Sequence, residues 1–267
     1  MDADAFKAFE AERWGAKAES YDLVTGQVTR QLVGPLLDAA RIGAGMRALD
    51  VATGPGHMAG AAAERGATVT GIDIAAGMLA VATAREPRVR FVQADAEALP
   101  FAAAEFDAAV GAFVLNHLPH PERAAAELAR VLAAGGRLAF CVWDAPPRSR
   151  LVSLLGEATR AAGVEPGGAV PAGPDTFRFA DEAELERLFA GAGFEQVAVE
   201  TLDLVHEAND LDELWHGLLG GSVRGAGVVE AQDAPTRERI RAEFHRLAGE
   251  LGGRIPCGVK LASGRRP

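Results

Sequence analysis

Short, continuous apolar runs alternate with amphipathic stretches from about residue 46 to 143. The runs predict strands at 47–51, 68–73, 89–93, 106–112 and 136–143. The stretches between them predict helices at 57–65, 75–85 and 121–133. Strands that are apolar throughout, rather than alternating, belong to a parallel sheet covered on both faces. Pro121 opens one helix and Gly135-Gly136 follows its end, the usual asymmetry of helix starts and stops. Alternating β and α elements predict right-handed crossovers and a doubly wound, mostly parallel α/β sheet.

Outside this core the pattern changes. Residues 1–45 read as helices packed in front of the sheet, with apolar faces from Trp14, Tyr21 and the run Val28 to Ala40. The stretch 145–180 breaks the alternation. It opens with Pro146-Pro147, holds one amphipathic helix at about 149–162, then turns rich in Gly and Pro from Glu165 to Pro174. A connection of this length reads as a lid over a site, mobile at its Gly/Pro end. The α/β pattern resumes over 181–267, with a helix at 181–191 and a strand at 194–204. Helices at about 209–219 and 235–250 follow, with a last antiparallel strand at Val259 to Ser263. That makes seven strands in one domain: a cover (1–45), a ligand-binding core (46–144), a lid insertion (145–180) and a completing segment (181–267).

Composition narrows the function. The chain has 267 residues, 49% of them apolar, and a formal net charge of -10 with no extended Lys/Arg cluster. A nucleic-acid groove needs concentrated positive charge, so a small-molecule ligand is expected instead. No apolar run reaches the roughly 18 residues of a membrane span, and the acidic N-terminus lacks a signal-peptide core, so a cytoplasmic protein is expected. Lys7, Lys17 and Lys260 are the only lysines among abundant Ala, Gly and Arg, a composition typical of GC-rich bacteria. Cys141 and Cys257 suggest no disulfide, and no His/Cys/Asp/Glu spacing suggests a metal.

Three of the strands end in an acid: Asp50, Asp73 and Asp95. The first runs into a turn with two glycines, Asp50-Val51-Ala52-Thr53-Gly54-Pro55-Gly56, and then a helix. This arrangement brings backbone close to a nucleoside-bearing ligand. Any single Asp here has an ordinary explanation as a helix cap or turn residue. All three at near-equal spacing point to one site.

Five segments in order then resemble the class I S-adenosylmethionine-dependent methyltransferases, in particular the small-molecule, ubiquinone/menaquinone-biosynthesis type. They are Asp50 to Gly56; Gly71-Ile72-Asp73; Ala94-Asp95-Ala96-Glu97-Ala98-Leu99-Pro100-Phe101; Phe106-Asp107 with Leu115-Asn116-His117-Leu118; and Arg130-Val131-Leu132 with Gly135-Gly136-Arg137-Leu138. The resemblance covers roughly 10–205 and implies a Rossmann-like sheet that binds S-adenosylmethionine without a metal and yields S-adenosylhomocysteine. It implies that Gly54 and Gly56 let loop amides meet the methionine part of the cofactor, with Ala52 in the loop. Asp50 would hold the loop and serve the ammonium end. Asp73 would bind the ribose hydroxyls, and Asp95 with the Ala96 amide the adenine. Ile74 and Met78 would flank the adenine ring. A carbonyl near Ala112 or Phe113 would accept from the ammonium, and Tyr21 would close over the cofactor. Ala52 and Thr53 stand where Gly and Cys, Ser or Thr are common in the family.

The candidate base is His117, just past the fourth strand, with a near-neutral intrinsic pKa. Trp143 and Asp144, at the end of the fifth strand, are candidates for binding the acceptor. His57 is weighed against a helix-start role and His120 against a helix-entry role. His206, Trp215 and His216 belong to a region that can complete the lid, and His216 with Asp212 reads as a solvated i,i+4 pair. No Asn-Pro-Pro-Tyr or Asp-Pro-Pro-Tyr follows the fourth strand, which disfavours acceptors that are base or glutamine amino groups. The expected reaction is methyl transfer to an O, N or C atom of a small molecule, in quinone or specialised-metabolite biosynthesis, by a monomer or homodimer. Two alternatives remain: a non-methylating reaction with the same cofactor, and a nicotinamide-dependent dehydrogenase. The dehydrogenase fingerprint G-x-G-x-x-G is not met, because Ala59 stands at its third glycine.

Overall fold

The computed structural model describes residues 1–165, 167–168 and 170–267. Pro166 and Ala169, in the stretch expected to be mobile, lie outside the described residues. Two helices open the chain, α1 (Ala3–Ala16) and α2 (Thr25–Ala39). The Asp2 carboxylate caps α1 by accepting from the Ala5 amide at 3.1 Å. The core follows as β1 (Arg47–Val51), α3 (His57–Glu64), β2 (Thr68–Asp73), α4 (Ala76–Arg85), β3 (Arg90–Gln93) and β4 (Phe106–Ala112). Next come α5 (Pro121–Val131), β5 (Leu132–Trp143), α6 (Arg150–Ala161), α7 (Glu182–Gly191) and β6 (Glu195–Leu202). The chain closes with β7 (Val205–Glu207), α8 (Leu211–Gly220), α9 (Arg224–Glu230), α10 (Ala234–Gly249), β8 (Arg254–Pro256) and β9 (Val259–Arg265).

Seven strands form one sheet in the order β3-β2-β1-β4-β5-β9-β6. β9 runs antiparallel to both of its neighbours, and the other pairings are parallel. The winding reverses between β1 and β4. A crevice opens there beyond the strands' C-terminal ends, where ligands bind in such sheets. Along β5, Leu138, Phe140 and Val142 join one buried cluster and Ala139, Cys141 and Trp143 the other. That alternation explains why the strand reads as a continuous apolar run. One face of the sheet packs on Leu32 and Leu36 of α2. The other packs on Leu128 of α5 and Phe189 of α7.

Three features differ from the sequence expectation. β5 begins at Leu132 rather than 136, because buried Leu132 pairs with Phe106 ahead of a register shift. Gly135 (φ 79°) and Gly136 make this bulge possible. A Cβ on Gly136 would meet the Ala133 carbonyl oxygen at 2.8 Å. β6 ends at Leu202, and β7 pairs with β8 in a separate two-stranded ribbon. α9 was not expected, since its Gly-rich sequence carries no helical period. Among the described residues, no helix is long and apolar enough to cross a membrane.

α1 lies against α4 with backbone on backbone where Gly15 meets Gly77. A Cβ on Gly77 would collide with the Gly15 carbonyl oxygen and Cα. Gly77→Ala is therefore expected to unseat α1 while leaving the sheet folded. Limited proteolysis should cut α1 faster, with little loss in the main thermal transition. Unchanged cleavage would mean that this contact does not seat the helix.

Candidate functional site

The crevice is a cavity of about 600 Å³, inside the range of small-molecule sites. Its floor is the loop after β1. Ala52 (φ 54°) and Gly54 (φ 53°) both take the left-handed conformation, as does Phe113 (φ 60°) after β4. For Ala52 and Phe113 this costs roughly 1–2 kcal/mol each. Two backbone outliers at the tips of neighbouring strands are strain of the kind that collects at functional sites. It also explains why Gly suits position 52 better than Ala. Gly56 (φ 89°) sits at the start of α3, outside the cavity wall, where a Cβ would press on Ala82 at 3.2 Å.

Asp73 organises this floor. One of its oxygens accepts from the Gly54 amide and the other from the Ala75 amide, each at 2.9 Å. Burial pushes its pKa up to about 6, against the pull of those amides. Asp50 lies behind the loop rather than on the cavity wall. It is held by the Thr53 hydroxyl at 2.6 Å. Burial, reinforced by the Asp73 charge, raises its pKa to about 7. This is the loop-holding position expected of Asp50, and its carboxylate does not reach the cavity wall. Ile74, Met78, Asp95 and Ala96 line the adjoining wall as expected.

The N-terminal segment covers the cleft with charged contacts. Lys7 Nζ meets Asp95 at 2.7 Å and Glu97 at 2.5 Å. Burial disfavours the ammonium, but the two carboxylates outweigh it and raise its pKa. Tyr21 lines the cavity, its hydroxyl 2.9 Å from Thr29 Oγ1, and burial raises its pKa to about 12. Asp22 contacts His57 Nε2 and Arg85, both at 2.6 Å, tying the cover to the helix after the glycine loop. Burial lowers the His57 pKa against the influence of Asp22.

His117 lines the cavity from a short turn after β4. Its Nδ1 lies 2.8 Å from Glu10 Oε2, which also accepts from Trp14 Nε1 at 2.9 Å. Burial pushes Glu10 up, but His117, Trp14 and Arg224 outweigh it and leave the carboxyl below its usual range. The other half of the cavity is largely apolar. Trp143 stacks on Phe113 with centroids 3.8 Å apart, opposite Leu151 and Leu155 of α6 and Leu218 of α8.

Asp144 does not join Trp143 there. It follows the last residue of β5, and its carboxylate accepts from the Ala145 amide and pairs with Arg148 at 3.2 Å. The expected acceptor-binding role for Asp144 is corrected accordingly. His120 pairs weakly with Glu122, His206 is buried in β7, and Trp215 packs on Phe244. His216 bonds the Asp212 carbonyl on the surface. The cover that this region supplies comes instead from Leu218, Gly221 and the stretch Ser222 to Gly225. Glu10 and Arg224 were not singled out in the sequence. The one available signal was the i,i+4 spacing of Glu10 and Trp14 in α1.

A family described as "Methyltransferase domain" matches residues 49–140. A demethylmenaquinone methyltransferase of Paenarthrobacter aurescens is 30% identical over 213 residues, covering 73% of this chain and 84% of that protein. The chain belongs to the class I S-adenosylmethionine-dependent methyltransferases. A second relative of the same name, from Renibacterium salmoninarum, is 37% identical over 125 residues. That match covers 47% of this chain and 53% of the relative, and the chain spans about half the length of several such curated relatives. Phosphoethanolamine N-methyltransferase 2 of Haemonchus contortus, solved with S-adenosyl-L-methionine, shares the fold. Its TM-score is 0.61 at 16% identity, over 98% of this chain and 60% of that one.

Asp50 and Asp73 hold their protons more tightly folded than unfolded, from an ordinary value of 3.8. Each contributes stability that is full below that value and is lost as pH rises through the raised one. Relative to wild type, Asp50→Asn is therefore expected to gain stability as pH is raised from about 4 to about 8. Thermal melts across that range test this. A constant offset between the two proteins would mean that Asp50 is ionised throughout.

Proposed function

We propose that this chain moves the methyl group of S-adenosylmethionine to an O, N or C nucleophile of an apolar small molecule of quinone or specialised-metabolite type. The observation that carries the reading is the continuity of two surfaces in one cavity: an acid-rimmed glycine loop, and an aromatic-walled chamber beside it. The donor atoms suit the cofactor. Each Asp73 oxygen receives one amide, so each keeps a lone pair for a ribose hydroxyl. At Gly54 a Cβ would meet nothing within 4 Å, which leaves the loop open to a ligand. Asp95 and the Ala96 amide would hold the adenine edge, between Ile74 and Met78. The Phe113 carbonyl would accept from the ammonium, while Asp50 braces the loop through Thr53 and Tyr21 covers the site.

When bound, the cofactor supplies a methyl group on a sulfonium, already activated for in-line displacement and released as S-adenosylhomocysteine. The protein's work is then to orient the acceptor, exclude water and take up a proton where one is lost. The Phe113–Trp143 stack and the α6 side chains would orient a flat apolar acceptor. α1 would exclude water, and His117 would take the proton. The name shared by the two curated relatives, demethylmenaquinone methyltransferase, supports an acceptor of this apolar kind.

Calorimetric titration with S-adenosylmethionine tests the reading. Wild type is expected to bind. Asp73→Ala is expected to weaken binding about 10- to 100-fold, the cost of losing charge-assisted hydrogen bonds. An acceptor screen should then release S-adenosylhomocysteine. Binding without consumption of the cofactor across the screen would favour the non-methylating alternative, and absence of binding by a cofactor-free preparation would overturn both.

A further inference from the structure

Glu10 and His117 are 107 residues apart in sequence and meet inside the cleft. The Glu10 side chain is 5% exposed, and its pKa is lowered, so it is a carboxylate at neutral pH. An ionised carboxylate only accepts hydrogen bonds, so His117 Nδ1 must carry the proton of this contact. In the neutral ring, Nε2 is then left with its lone pair. His117 is 28% exposed and lines the cavity. Trp14, edge-on to the imidazole at 5.7 Å, fixes the carboxylate with its own N–H. The second oxygen, Oε1, is buried with no hydrogen-bond partner among the described residues. Within 4 Å, His117 is the one group able to give Glu10 a counter-charge among those residues. The other charges facing this pair are Arg224 of α9, turned to the Pro174 carbonyl and Thr176, and Asp73 of β2.

We propose that Glu10 is the positioning residue of His117, and that the pair fits the site to an acceptor bearing a hydroxyl. This rests on the methyltransferase reading above. A neutral amine can attack before it loses a proton, whereas a hydroxyl attacks well only as its proton departs. The acceptor oxygen forms its bond to the methyl carbon as the carbon–sulfur pair returns to sulfur. The hydroxyl proton passes to His117 Nε2, and the imidazolium, matched by Glu10, later gives it to solvent. Because Glu10 rides on α1 and His117 on the turn after β4, this base is assembled only when the N-terminal helix is seated.

The ligand-free protein tests this. Long-range proton–nitrogen NMR should find His117 of the wild type with Nδ1 protonated, and Glu10→Ala should move the proton to Nε2. Glu10→Gln, of the same shape, covers the case in which Glu10→Ala fails to fold. In it, carbethoxylation of His117 by diethyl pyrocarbonate, referenced to His120, should slow about fivefold, the difference between a charged and a neutral hydrogen bond. Wild type that binds S-adenosylmethionine but carries the His117 proton on Nε2 overturns the positioning role alone. So does unchanged His117 reactivity in Glu10→Gln. Wild type that does not bind the cofactor overturns the reading beneath it.

Discussion

The site is organised by one buried carboxylate that lacks a cation. Asp73 is 8% exposed and is satisfied by backbone amides rather than by a base. Burying a charge this way is costly unless its lone pairs are met, and here two amides from different elements meet them. The Gly54 amide reaches Asp73 because the loop after β1 runs through left-handed residues. That loop is braced from behind by Thr53 on Asp50. Loop shape, strain at Ala52 and the raised pKa values of both carboxylates thus follow from a single requirement. The group that shapes the loop also lines the cavity, which is why the proposed function gives it the ribose hydroxyls.

The N-terminal helix is the second constraint. Lys7, Glu10 and Trp14 fall at spacings of three and four, so they share one face of α1, and that face looks into the cleft. It meets three charged or polar partners: Asp95, Glu97 and His117. The opposite requirement, close approach to α4, is met by Gly15 and Gly77. The apolar anchors of α1, Phe6 and Trp14, lie outside the two clusters that flank the sheet, so the helix can separate without opening them. This is the property a cover needs if ligands are to enter an enclosed site.

The core was legible because its signals are local. Each strand of the parallel sheet is a short apolar run, and the acids stand at strand ends, where the topology gathers them. That Asp73, Asp95, Ile74, Met78 and His117 would come to line one cavity was readable for that reason. Glu10 and Arg224 were not. α1 carries a polar inward face, which a search for apolar stripes reads as solvent-facing. Arg224 sits in a Gly-rich helix with no period of its own, and its role depends on contacts made 48 and 50 residues away. Asp144 misled in the opposite direction. Its position beside Trp143 suggested a shared pocket, but its carboxylate is taken up by the Ala145 amide and Arg148 just past the strand.

This asymmetry has a physical origin. A nucleoside cofactor is held mostly by backbone geometry and strand-end acids, which any sheet of this winding can supply, so its site is written in short contiguous motifs. An acceptor is held by whatever side chains the cover happens to present. Here those come from α1, α6, α8 and α9, four elements brought together only by tertiary packing. The strongest clue to acceptor chemistry therefore lies in a polar contact between cover and core, His117 with Glu10, rather than in a motif. A buried carboxylate placed to receive one ring proton commits the opposite nitrogen to the cavity. On the proposed reading, that commitment would select acceptors by the proton they must lose, while the aromatic wall would select them by shape.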